Sequence, residues 1–180
     1  MSELYSDKYL VERCIEDDRK YQEIFYRKFA PTMYGICKNY ASDRDEAMDF
    51  LQNGFISVFK NIHNYRFEGS LEGWVKRIII RRAIEELRSK KRYAEVLEDY
   101  KYELEDEAIE ETSSYSKEAL ANVKSLVNDL PGKAGLVLKL YVLEGYTHKE
   151  IAEILNVSVG TSKSQLNRAR KLIKEGLINR

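Results

Sequence analysis

The chain has 180 residues, with 30 Lys+Arg against 30 Asp+Glu and a formal net charge of zero. Hydrophobic residues make up 43% and charged residues 33%, enough apolar material for one domain or two small ones under a highly charged surface. Only 2 Pro and 9 Gly punctuate it, which excludes a sandwich or barrel of many turns and favours long helices.

The neutral total hides a division. Residues 1–93 hold 18 basic and 15 acidic groups, residues 94–118 hold 2 and 10, and residues 119–180 hold 10 and 5. Two mildly basic blocks are thus joined by a strongly acidic one, which suggests separate tasks for the parts. Cys14 and Cys37 are the only cysteines, and with the distant His63 and His148 they make a poor set for a structural zinc site. They are expected to be reduced, buried thiols. The N-terminus lacks the basic start and apolar run of a signal peptide. No apolar run approaches the ~18–20 residues that span a bilayer, so a soluble cytoplasmic protein without membrane insertion is expected.

In chain order, residues 7–40 read as helix, with Leu10, Val11, Cys14 and Ile15 at helical spacing and the pattern resuming after Asp17 and Asp18. Pro31 is expected to kink or restart it, because proline removes an amide donor. Asp43 and Glu46 resemble a capping box opening the next helix. There Ala47, Leu51, Phe55, Val58, Phe59 and Ile62 form an apolar stripe, while Asp49, Gln52 and Asn53 stay on other faces. The loop HNYRFEGS follows, ending at Ser70, a plausible N-cap.

The next helix is expected to reach about Arg92, with Trp74, Ile78, Ile79, Ile80, Ile84 and Leu87 on its core face. Arg77, Arg81, Arg88 and Arg92 fall within a stripe of roughly 60° at about 100° per residue. Between Lys76 and Arg92 there are 8 basic and 2 acidic groups, which suits phosphate contact. Residues 94–118 lose apolar periodicity and are expected to form a flexible acidic linker. Beyond it, residues 117–129, 133–144, 147–155 and 159–177 read as four helices.

The last two of these carry the most specific signal. Thr147 and Glu150 form a capping box, Ile151, Ala152, Ile154 and Leu155 point inward, and a short turn at 156–158 leads to a second helix capped by Ser158. This is the helix-turn-helix layout, whose second helix enters the major groove. On a helical wheel, Leu166, Ala169 and Ile173 lie on one side of that helix. Lys163, Ser164, Asn167, Arg168 and Lys171 lie nearly opposite. His148, at the first helical position after the capping Thr147, is expected to be exposed.

These residues resemble the extracytoplasmic-function group of bacterial sigma factors. DEAMDFLQNGFISVFKNI, the Gly-Ser-x-x-x-Trp of EGSLEGWVKRI and AIEELRSKKR look like sigma region two. The Leu-Pro at 130–131 and EGYTHKEIAEILNVSVGTSKSQLNRAR look like sigma region four. The resemblance implies an all-α protein of two small helical domains, 1–93 and 119–180, with no catalytic activity, metal or cofactor. Its implied partners are core RNA polymerase, promoter DNA and an anti-sigma factor. It further implies that Asp49, Gln52 and Asn53 dock on the polymerase. The loop from Asn64 through Tyr65, Arg66 and Phe67 to Ser70 would capture an unstacked promoter base. Trp74, Arg77, Arg81 and Arg88 would meet duplex and opened DNA, and Lys163, Ser164, Asn167, Arg168 and Lys171 the upstream element.

The sequence departs from the family pattern in places. Arg81 stands where Asn is usual, Glu85 where Asp is usual, Ala134-Gly135 where Tyr-Arg is common, and Ser162 where Val is common. The competing reading is a free-standing helix-turn-helix regulator with an N-terminal sensing or dimerising domain.

Overall fold

The computed structural model describes residues 6–94, 127, 130 and 132–178. The chain divides into two compact units, residues 1–97 and 98–180, each with its own core. Every regular element among the described residues is helical. The acidic segment beyond Ala94 and most of the helix expected at 117–129 lie outside the described residues.

The first unit contains α1 (Asp7–Ile15), α2 (Arg19–Cys37), α3 (Arg44–Asn61), a 3-10 turn (Ile62–Asn64) and α4 (Leu71–Ala94). The single helix expected over 7–40 is two helices, and the break falls at Asp17 and Asp18, not at Pro31. Asp17 adopts φ 60°, a left-handed conformation that Asp tolerates better than most residues. Asp18 then caps α2, accepting from the Lys20 amide at 3.1 Å and from Arg13 at 2.8 Å. α2 continues through Pro31, because buried Phe25, Phe29, Met33 and Cys37 anchor it on both sides of the proline. Packing therefore outweighs the lost hydrogen bond.

At the start of α3, the Asp43 carboxylate accepts from the Glu46 amide at 2.8 Å. Glu46 reaches past the cap to the Ser42 amide and hydroxyl, both at 2.7 Å, so only half of the expected box forms. The buried side of α3 is wider than the expected stripe, because Phe50 and Gly54 join it. Against it pack Val75, Ile79, Ile80 and Ile84 of α4, all fully buried. Phe25 contacts Phe29 and Phe59, with centroids 4.8 and 5.6 Å apart, and Tyr26 meets Phe55 at 4.7 Å.

Gly54 sets the closeness of α3 and α4. A Cβ there would lie 2.8 Å from Cγ1 of Ile79, a β-branched side chain stiff about χ1. Overpacking of this kind costs about 1–3 kcal/mol. Alanine gains at most about 1 kcal/mol over glycine within a helix. Gly54→Ala is therefore expected to lower the thermal unfolding midpoint of the first unit. An unchanged or raised midpoint would show that Ile79 yields freely.

Both cysteines are buried free thiols. Burial pushes the Cys14 thiol up to about 11 and that of Cys37 up to about 12, so both stay protonated and unreactive at neutral pH.

The second unit contains α5 (Gly132–Leu138), a π-helical turn (Lys139–Leu143), α6 (His148–Leu155) and α7 (Val159–Ile178). The helix expected at 133–144 thus widens into a π-turn over its second half. Gly135 lies close under the preceding chain, where a Cβ would meet the Leu130 carbonyl oxygen at 3.0 Å. That closeness accounts for glycine at this departure from the family pattern. Val137, Leu138, Leu140, Tyr146, Ile151, Leu155, Leu166 and Ala169 form the core.

Candidate nucleic-acid interface

α3 carries the first set of candidate residues on the side away from the core. Asp49 and Gln52 are exposed and Asn53 is half-buried, while neighbouring Phe50 and Leu51 are buried. One turn after Gln52, Ile56 is 51% exposed on the same helix. Sequence reasoning missed it, although its place off the apolar stripe was a usable signal. An exposed large apolar side chain with polar groups around it fits the apolar centre and polar rim of a protein-docking face.

The loop between the 3-10 turn and α4 is braced from within. Tyr65 is 92% buried by its 8% exposure, and its hydroxyl donates to the Gly69 carbonyl at 3.0 Å. Its ring meets Phe67 at 5.0 Å and Trp74 at 5.3 Å. Gly69 takes φ 81°, and Ser70 caps α4 by accepting from the Gly73 amide at 3.1 Å. Phe67 itself takes φ 59°, an unusual conformation for a bulky residue, and remains 47% exposed. Asn64 and Arg66 are exposed beside it. Tyr65 and half-buried Trp74 therefore lie beneath, and Phe67 is the aromatic ring left open to solvent. The sequence had placed all three together without separating the buried rings from the exposed one.

On α4, Arg77 and Arg81 are exposed and Arg88 is half-buried. Arg81 pairs with Glu85 at 3.7 Å, and Arg82 reaches Glu85 at 3.5 Å and Glu86 at 3.1 Å. The two departures from the family pattern on this helix, Arg81 and Glu85, thus touch each other. Exposed pairs of this kind are worth about 0–1 kcal/mol, so a phosphate can compete for the guanidinium at little cost. The Arg92 side chain lies outside the described residues.

The second unit builds its face on the helix-turn-helix. The capping box at α6 is complete: the Thr147 hydroxyl accepts from the Glu150 amide at 3.3 Å, and the Thr147 amide donates to the Glu150 carboxylate at 3.0 Å. Asn156 ends α6 at φ 48°, and the Val157 amide donates to the Ala152 carbonyl at 3.0 Å. Ser158 caps α7, accepting from the Thr161 amide at 2.9 Å. The left-handed residue turns the chain sharply enough to bring α7 back across α6. Asn156→Ala is expected to destabilise the second unit by about 1–2 kcal/mol, the cost of a Cβ without a local hydrogen-bonding side chain in this conformation. Asn156→Gly should be tolerated, and equal unfolding midpoints for the two variants would contradict the argument.

On α7, Ser162, Leu166 and Ala169 are buried. Lys163 and Lys171 are exposed, and Ser164, Asn167 and Arg168 are half-buried. The wheel separation is realised at Leu166 and Ala169 against Lys163 and Lys171, whereas Ile173, expected with the core pair, is only half-buried. Ser164 donates to the Thr161 carbonyl at 3.1 Å, which orients its hydroxyl along the helix. His148 is not the exposed residue expected. Its Nδ1 lies 2.9 Å from the hydroxyl of fully buried Ser162, and its ring stacks on Tyr141 at 4.8 Å. Burial, reinforced by the charges of Lys163 and Arg170, holds its imidazole below the ordinary value.

Among the described residues, no group of three or more His, Cys, Asp or Glu gathers as a metal site, and no helix is long and apolar enough to cross a membrane. Among the described residues, the first unit thus carries an aromatic loop beside an arginine-bearing helix, and the second a helix-turn-helix. Residues 25–93 match the family Sigma-70 region 2, and residues 120–173 match Sigma-70, region 4.

The ECF RNA polymerase sigma-E factor of Haemophilus influenzae is 30% identical, over 97% of this chain and 96% of that one. The ECF RNA polymerase sigma factor SigW of Bacillus subtilis is 27% identical, over 81% and 82%. The chain belongs to the extracytoplasmic-function RNA polymerase sigma factors of the sigma-70 family.

The fold is shared with the sigma factor RpoE in its complex with the anti-sigma factor NepR from Bartonella quintana. That match has a TM-score of 0.57 at 21% identity and covers 86% of this chain and 95% of that one. CnrH, solved with the cytosolic domain of CnrY, matches with a TM-score of 0.55 at 15% identity, over 96% and 97%.

Proposed function

We propose that this sigma factor divides promoter work between its units, with no enzymatic activity of its own. In the first unit, Asp49, Gln52 and Asn53, joined by Ile56, hold core polymerase. The loop from Asn64 to Ser70 receives an unstacked base against Phe67, over the Tyr65 and Trp74 floor. Arg77, Arg81 and Arg88 follow the phosphates beside it. In the second unit, Lys163, Ser164, Asn167 and Arg168 read the upstream element, and Lys171 contacts its backbone. The protein works in the cytoplasm, where polymerase and promoter are.

The observation that carries this reading is that one chain carries both an exposed aromatic beside an arginine-bearing helix and a helix-turn-helix with a basic second helix. A melting protein needs positive charge to follow phosphates and an aromatic surface to hold a flipped base. Opening costs about 1.4 kcal/mol of stacking per base step, so capture of one or two bases biases it. The acidic segment 94–118, with a charge unsuited to DNA, is the linker that couples the two surfaces and raises the effective concentration of each for the other. An anti-sigma factor is the natural regulator, since RpoE, which shares the fold, is found in complex with one.

Mixing purified core polymerase, this protein and a library of genomic promoters tests the assignment. Retention of specific promoters only when both proteins are present is expected. Sequence-specific retention by this protein alone, with no contribution from core, would favour the free-standing regulator.

A further inference from the structure

Ser162 is the one polar side chain among the described residues that is fully buried, and its hydroxyl faces His148 Nδ1 at 2.9 Å. A buried hydroxyl needs a partner, and this one finds it on a different helix, fourteen residues earlier in the chain. His148 opens α6, and Ser162 lies in the first turn of α7, immediately before Lys163. One face of the imidazole rests on Tyr141 of the π-turn, with the rings inclined by 23°. One side chain thus connects the π-turn, α6 and α7.

We infer that His148 is a positioning residue for DNA recognition, fixing the register of α7 on α6 through the Ser162 hydroxyl. The inference rests on the reading that α7 contacts the upstream element. An apolar side chain at 162 would pack into the same core but could slide or rotate, because apolar contact has little direction. A hydrogen bond confines the two helices to a distance of about 2.7–3.2 Å and a narrow range of angles. Base-edge contacts from α7 need the same precision, so a displacement of about 1 Å at Ser162 would carry Lys163, Ser164 and Asn167 out of reach. The ring serves in either tautomer, since Nδ1 accepts from the Ser162 hydroxyl or donates to its oxygen. The imidazole, held below its ordinary value by burial and by Lys163 and Arg170, stays neutral at pH 7.

The test compares His148→Ala with His148→Asn, whose amide places a hydrogen-bonding atom near the position of Nδ1. Each full-length variant is assembled with core polymerase. It is then titrated with a duplex that the wild-type holoenzyme selects from a randomised upstream pool, and with a scrambled duplex. His148→Ala is expected to lose roughly tenfold in affinity for the selected duplex, the effect of one broken buried hydrogen bond, and little for the scrambled one. His148→Asn should recover most of that loss. Undiminished discrimination by His148→Ala overturns the inference, as does equal impairment of both variants, which would assign the ring to packing alone.

If His148→Ala fails to fold, His148→Asn decides alone. Discrimination near wild type supports the inference, and discrimination lost altogether overturns it. A wild-type holoenzyme that selects no sequence overturns the assignment of α7 to DNA, and the positioning role with it.

Discussion

Phe50→Ala is expected to destabilise the first unit by about 3–5 kcal/mol, the usual cost of removing a buried phenylalanine ring. Phe50 is fully buried, and the total stability of a domain is only about 5–15 kcal/mol, so this variant should be partly unfolded at physiological temperature. Asp49, the preceding residue, is exposed on the far side of the same turn. Asp49→Ala should therefore change stability by no more than about 0.5 kcal/mol. Its affinity for core polymerase should nevertheless fall well below that of the wild type. Circular dichroism melts and a binding titration with core enzyme, run on both variants, separate the two effects. An Asp49→Ala protein that melts like Phe50→Ala, or one that binds core like the wild type, would remove Asp49 from the docking face.

The second large effect is expected at Arg168. If its guanidinium makes a bidentate contact with a base edge, Arg168→Ala costs about 1–3 kcal/mol, or roughly 5- to 150-fold in affinity, and relaxes preference at one position. Lys171 lies nearly one turn further along and is exposed. Lys171→Ala should weaken binding to all sequences alike and make the salt dependence shallower by about one unit of slope. Selection on randomised upstream elements with each variant holoenzyme distinguishes base reading from phosphate contact. An unchanged preference in Arg168→Ala would leave Lys163, Ser164 and Asn167 as the readers and Arg168 as a backbone contact.

The all-α fold class was legible in the sequence, because the helical period separates apolar from polar faces over long stretches. On α7, the wheel placed Leu166 and Ala169 opposite Lys163 and Arg168, and the structure buries the first pair, exposes Lys163 and leaves Arg168 half-buried. Capping chemistry was equally legible at Thr147 and Ser158, because a cap depends on residues three apart. Legibility failed where distant residues decide. Pro31 reads as a break only until the buried aromatics on both sides of it are known. The left-handed Phe67 is fixed by a loop braced through Tyr65 and Gly69, and no local propensity announces it. His148 reads as surface because its partner is fourteen residues away in the chain. Ser162 reads as a mild packing change for the same reason, since its hydroxyl has meaning only beside that imidazole.

Permanganate footprinting of a selected promoter tests the central claim most directly, because permanganate oxidises thymines that have left the stack. With core polymerase and this protein together, thymines near the transcription start should become reactive, and a specific transcript should appear when nucleotides are added. Core alone and the protein alone should leave the same thymines protected. Substitution of Phe67 by alanine should reduce the reactive fraction without abolishing binding of the upstream element. Protected thymines and no specific transcript from any genomic promoter, with both proteins present and folded, would contradict the account.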